Sequence, residues 1–158
     1  MLRPEPVQQP YIPLLIAGGD ERTTPRYVAE SADMSSMAAA SWAGGAYTAA
    51  SASHKFQVLQ RRCEEAGRPY DSILHATHLS LLILAETEVG VQAKLDRLPK
   101  AMLAFLEQSA VATTPGEAIQ RIQALVDVGF QYFLCGIEGL DVETLNLLAQ
   151  QVIPAIVA

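Results

Sequence analysis

Short apolar runs alternate with longer amphipathic stretches along this chain. Leu14 to Ala17 is a fully apolar run of strand length, closed by Gly18 and Gly19. Thr24 is a good N-cap and Pro25 a good first helical residue, so a helix is predicted from Pro25 to about Ser31. Ala32-Asp33-Met34-Ser35-Ser36-Met37 predicts a second, weaker strand. Ser53 can cap a helix from His54 to about Ala66, stopped by Gly67. Phe56, Leu59 and Cys63 share one face of it at i, i+3, i+7 spacing. Ile73 to Ala85 predicts one long strand, wholly apolar at its end, as suits burial on both faces of a parallel sheet. Thr87 begins a helical region to about Ala110, broken at Pro99. Thr114-Pro115-Gly116-Glu117 reads as a capping box. Its helix runs to Val128 and stops at Gly129, with Ile119, Ile122, Leu125 and Val126 as the apolar stripe. Phe130 to Ile137 is the last predicted strand. Asp141 caps a final helix to about Val152, ended by Pro154.

The predicted order is strand-helix, four times over. Strands separated by helices imply parallel βαβ units with right-handed crossovers. Four such units can form a small open sheet or half of an eight-stranded barrel, and the pattern accommodates both. Residues 1–13 carry four prolines and read as an extended lead-in, leaving 14–158 as a single α/β domain. Ala38 to Ser53 is rich in Ala, Ser and Gly and holds the only tryptophan, Trp42; it reads as a long loop of the kind that forms lids or plain connectors.

Composition narrows the classes. Half of the 158 residues are hydrophobic and 18% are charged, which argues against wholesale disorder. The net charge is −6 and there is no basic stripe, so no nucleic-acid partner is expected. Arg61-Arg62 reads as the solvated face of a helix. No apolar stretch is long enough to span a bilayer, and the first twelve residues lack a signal-peptide pattern. Cys63 and Cys135 make no disulfide framework and read as cytoplasmic thiols. His75 and His78 would point to opposite faces of a strand, so they are not expected to chelate one metal. Cys135 falls near the C-terminal end of the last strand, where core packing is the expected role. No Gly-x-Ser-x-Gly elbow and no phosphate loop ending in Gly-Lys-Ser/Thr occurs. No catalytic residue and no metal ligand is assigned.

The candidate chemistry lies after the first strand. Strand, glycine turn and helix N-terminus together form an anion site, because glycine amides can approach a phosphate and the helix dipole favours its charge. Gly18 and Gly19 offer N–H donors with no Cβ in the way, Thr23 adds a hydroxyl, and Arg22 can give a charge-assisted bond. A plain tight turn and a solvated arginine are the alternatives.

Four stretches resemble the C-terminal half of the luciferase-like monooxygenase family, which comprises flavin- and deazaflavin F-420-dependent oxidoreductases. The first is Pro13 to Gly19 with Arg22-Thr23, Val28-Ala29 and Ala32-Asp33. The second is Lys55, Leu59 and Cys63 to Arg68. The third is Thr114 to Ala118 leading to Val126 through Phe133. The fourth is Glu143-Thr144-Leu145 through Val152 to Ala155. The similarity spans roughly Pro10 to Ile156. It implies a half TIM (β/α)8 barrel, a cofactor that is F-420 or FMN, and a phosphate held at Gly18, Gly19, Arg22 and Thr23. It also implies that a second copy or a complementary half-barrel chain completes the ring pocket. The resemblance departs at Met34, Ser35 and Ser36, where the family usually has a small residue, tryptophan and asparagine. A non-catalytic half-barrel assembly module, or a truncated fragment without activity on its own, is the alternative function.

Overall fold

Alternation of strand and helix places four parallel strands side by side. They are β1 (Leu15–Gly18), β2 (Met34–Ala38), β3 (Leu74–Leu79) and, much later in the chain, β6 (Tyr132–Cys135), in the spatial order β1-β2-β3-β6. A separate parallel pair joins β4 (Leu81–Leu84) to β5 (Ala110–Thr113). The structure, a computed structural model, describes residues 7–38, 48–101, 103 and 110–157. The helices are α1 (Thr24–Ser31), α2 (Ala49–Ala66), α3 (Glu88–Leu95), α4 (Pro115–Asp127) and α5 (Val142–Leu147). The chain leaves α5 through a π-helical turn, Leu148–Val152, and a short 3-10 turn, Ile153–Ala155.

Strand register decides which side chains meet the helices. Ile16, Ser35 and His75 lie abreast, as do Gly18, Met37, Thr77 and Phe133. This face packs on α1 and α2. Val28, Ala29 and Ala32 meet Leu59, Cys63 and Ile73, while Met37, Ala52, Phe56 and Phe130 form a second cluster. Side chains alternate across a strand, so Leu15, Met34, Leu74, Tyr132 and Leu134 point to the opposite face. None of the three buried clusters draws on that face. There Leu15, Tyr132 and Leu134 remain 46%, 47% and 37% exposed.

Several expected boundaries move. The first strand starts at Leu15 and includes Gly18, and the last covers only Tyr132–Cys135. The single strand expected over Ile73 to Ala85 is two strands, broken at Ser80. The cause is a close crossing: Gly136 donates its N–H to the Leu79 carbonyl at 2.9 Å and accepts from Leu82 N–H at 2.8 Å. A Cβ on Gly136 would stand 2.3 Å from the Ser80 carbonyl oxygen. Beyond this crossing the chain leaves the main sheet and pairs with β5, a strand that falls at the end of the region predicted helical. The chain therefore has six described strands instead of four.

Helix α2 begins at Ala49 and is capped by Thr48, not Ser53. The Thr48 hydroxyl accepts from Ser51 N–H at 3.1 Å, and Ser51 Oγ accepts from Thr48 N–H at 3.2 Å. Most of the expected Ala38 to Ser53 loop, with Trp42, lies outside the described residues. The capping box at Thr114 does not form, because Glu117 instead accepts from the Thr113 hydroxyl and pairs with Arg121 at 3.7 Å.

Candidate anion-binding turn

The turn from β1 into α1 is built around Asp20. Its carboxylate accepts from the N–H of Arg22 at 2.9 Å and of Thr23 at 2.6 Å. Thr24 N–H reaches one carboxylate oxygen at 3.3 Å and the other at 3.1 Å, and the Thr24 hydroxyl donates as well. These groups include the first amides of α1, which have no partner within the helix. Thr23 occupies the N-cap position without making a side-chain cap, and Thr24 is already helical; neither cap nor start lies where the sequence placed it. Asp20 takes the capping role from further upstream. The Thr24 hydroxyl, with the Thr23, Arg22 and Thr24 amides, stabilises its charged form and lowers its pKa to about 2.

The four sequence-predicted residues share this turn but contribute differently. Gly18 is half-buried at the end of β1, and Gly19 is buried. A Cβ on Gly18 would stand 2.4 Å from Thr24 Oγ1, so the missing side chain there makes room for Thr24. The Gly19 carbonyl accepts from Lys55 Nζ, which reaches over from α2. Arg22 and Thr23 are exposed, and their backbone amides face Asp20. Beside the carboxylate lies a cavity of about 20 Å³, lined by Gly18, Asp20, Thr24, Ser35, Met37 and Lys55. That is room for about one water.

Sequence reasoning missed Asp20 and the reach of Lys55. An acidic residue shortly before a helix start is a capping signal, and Asp20, four positions before Thr24, offers it. The reach of Lys55 across 36 positions had no local signature.

Other candidates settle into packing. His75 is buried, with its ring 4.9 Å from Phe56 and 4.5 Å from Tyr70, whereas His78 is exposed. Burial lowers the His75 pKa, against a smaller raising effect of Asp71. Cys63 is buried, and Cys135 is half-buried in the cluster with Phe133 and Leu148. Among the described residues no group of three His, Cys, Asp or Glu is placed to hold a metal ion, and no helix is long and apolar enough to cross a membrane.

With this geometry in view, the chain was compared with known proteins. No protein-family model and no curated protein matches it. Solved structures do. A coenzyme F420-dependent tetrahydromethanopterin reductase from Methanopyrus kandleri superposes with a TM-score of 0.63 at 15% identity, covering 92% of this chain and 51% of that one. An F420-dependent secondary alcohol dehydrogenase gives 0.69 at 14%, covering 95% and 50%. The oxygenating constituent of 3,6-diketocamphane monooxygenase from Pseudomonas putida, in complex with FMN, gives 0.64 at 13%, covering 93% and 50%. The chain shares their α/β fold and spans about half the length of these structures.

Whether the turn suits a cofactor phosphate can be tested on its own atoms. Its donor set fits: three consecutive amides and a hydroxyl converge on anionic oxygens. Its occupancy differs from expectation, since the anion they hold belongs to the chain itself.

Proposed function

We propose that the chain is the C-terminal-half portion of a flavin- or deazaflavin-dependent oxidoreductase of luciferase-like type, a half-barrel that contributes the turn for the cofactor phosphate. The observation that carries this reading is the convergence of the Arg22, Thr23 and Thr24 amides on one anionic group at the C-terminal end of a parallel strand. Sites of parallel α/β sheets gather at that end. The fold shared with F420- and FMN-dependent enzymes supports it. In this reading the phosphate takes the place of the Asp20 carboxylate, held by the Arg22 and Thr23 amides, the Thr23 hydroxyl and the Arg22 guanidinium, with Gly18 and Gly19 shaping the turn. F-420 or FMN supplies hydride chemistry when bound; the chain's own part is to grip and orient its phosphate end. The ring pocket is completed by a second copy or by a complementary half-barrel chain.

A second reading, a non-catalytic half-barrel assembly module, is favoured by Asp20 already filling the turn. Titration of the purified chain with FMN and with the deazaflavin, followed by fluorescence, separates the two. Saturable binding of either supports the cofactor role. Binding of neither by a folded sample leaves the assembly module.

A further inference from the structure

We propose that His75 is an acid-sensitive latch: a proton taken up inside its aromatic cage releases the first half of α2 from the sheet and withdraws Lys55 from the Gly19 carbonyl. The latch needs no ligand in the β1–α1 turn.

The cage is dry and offers no acceptor. His75 is 5% exposed. Its ring lies 4.9 Å from Phe56 of α2 and 4.5 Å from Tyr70, in the 3-10 turn Tyr70–Ser72 that follows α2. Phe56 packs in turn on Phe130, 4.8 Å away. Among the described residues nothing hydrogen-bonds to Nδ1. An imidazolium there would lose its water and carry a buried N–H with no acceptor, and both cost free energy. The faces of Phe56 and Tyr70 attract a cation, but loss of water outweighs them, and burial lowers the His75 pKa. The neighbouring groups supply little charge. Ser35, abreast of His75 on β2, and Gln131 are uncharged. Tyr70 stays neutral, its pKa pushed up to about 12 by burial, and burial also pushes up the Cys63 thiol further along α2. Asp71 favours the proton on His75, less strongly than burial opposes it.

The helix, not the strand, is free to yield. β3 is paired on both sides, with β2 and with β6. Gln131 pins the His75 backbone: its Oε1 accepts from His75 N–H at 3.1 Å, and its N–H donates to the His75 carbonyl at 2.8 Å. The first half of α2 rests on the sheet through Ala52 and Phe56, whereas Leu59 and Cys63 anchor its second half in a different cluster. Lys55 adjoins Phe56 and donates to the Gly19 carbonyl, so a shift of Phe56 carries that contact with it. His54 works the other way. It lies 3.3 Å from Glu21, and its protonation tightens that pair; the side chains are 57% and 49% exposed, so the opposition is weak.

The sign follows from linkage. Opening returns His75 to water, where its ordinary value is 6.5, so protonation favours the open form as pH falls below that value. With His75 neutral in the closed form, opening grows about tenfold between pH 7.5 and 5.5. Backbone hydrogen exchange of the full chain at these two pH values, corrected for the chemical exchange rate, reads it. In the wild type the amides of residues 54–58 are expected to lose about tenfold in protection, while those of α4 keep theirs. His75→Phe and the smaller His75→Gln do not titrate and are expected to show no such loss; both retain His54, so the difference isolates His75. No loss in the wild type overturns the latch, as does an equal loss in a folded variant or an equal loss in α4. A second measurement needs no variant. An NMR titration of the wild type is expected to place the His75 ring midpoint below 6.5, with the Asp20 amide, which shares the peptide of the Gly19 carbonyl, shifting at the same midpoint. A His75 midpoint at or above 6.5, or an Asp20 amide unmoved while His75 titrates, overturns it as well.

Discussion

Gly136 shows how one residue can set the path of a chain. Its backbone bonds both to the end of β3 and to the start of β4, and a Cβ added to it would stand 2.3 Å from the Ser80 carbonyl oxygen. Any side chain would meet backbone there, which cannot rotate away as a flexible side chain can. Gly136→Ala is expected to lower stability by about 1–3 kcal/mol through overpacking, read as a lower urea midpoint with an unchanged slope. Three carboxylates act on the same scale. The Thr24 hydroxyl and neighbouring amides hold down Asp20, and the Leu14 amide with the Tyr11 hydroxyl hold down Asp33. Burial pushes Asp141 up, but bonds from Lys94 and Thr144 outweigh it. All three stay ionised in the folded chain at pH values where the unfolded chain is already taking up protons, below about 4. Their contribution is present above that pH and is lost on further acidification, for Asp20 down to about 2. An acid titration of the thermal midpoint is expected to fall through this window, and Asp20→Asn is expected to flatten the fall.

Elements are tied together where a few polar groups replace apolar contact. Lys94 of α3 donates to the Leu84 carbonyl of β4 at 2.6 Å and to both Asp141 oxygens at 2.8 and 2.9 Å, and it lies 3.1 Å from Glu143 of α5. Its side chain is 16% exposed, so this ion pair is shielded from solvent far more than a surface pair. Lys94→Met keeps the aliphatic stem but strands Asp141. A loss on the order of 2 kcal/mol is expected, measured by chemical unfolding. His75 links β3 to α2 by packing on Phe56, and its Nδ1 has no hydrogen-bond partner among the described residues. Because burial lowers its pKa, its contribution is present above its ordinary value near 6.5 and diminishes as pH falls below it. His75→Phe is expected to remove the slope of stability that develops below pH 6.5, and a pH series of melts checks it. What the sequence made legible follows from these forces. The Leu14–Ala17 run is legible as a strand from its length and apolar residues, and Ile73–Ala85 from its wholly apolar end, Leu81 to Ala85, which is buried. The break at Ser80 was not, because its cause is Gly136, 56 positions away. The Ala110–Thr113 strand has only four residues and no alternation, so nothing local marks it off from a helix end. At the site, the glycine turn and helix start were legible from residue type. The identity of the anion was not, because an acid inside an expected phosphate turn reads equally as a solvated charge.

At the scale of the whole molecule, the four-stranded sheet has two outer strands, β1 and β6, each with a described partner on one side only. Edge strands present unpaired N–H and C=O groups, and parallel sheets are rarely left open on a face. Here the face opposite α1 and α2 shows Leu15, Tyr132 and Leu134 to solvent. Alongside β6 runs an apolar groove of about 680 Å³, lined by Ile122, Val126, Phe133, Leu148 and Ile156 among others. A partner strand on β6 would cover the groove and the edge together. Two copies related by a two-fold axis parallel to the strands would set β6 of each beside β1 of the other, and two sets of four strands make the eight of a closed barrel. The expected outcome in light scattering is a mass of at least twice 17.0 kDa. Leu134→Asp sets a charge on that face without touching the buried clusters, and it is expected to shift the mass to that of one chain. A well-folded wild-type chain that scatters as a single copy would show that both edges and the apolar face stand free in solution, and self-association would then be ruled out as the means of closing the sheet.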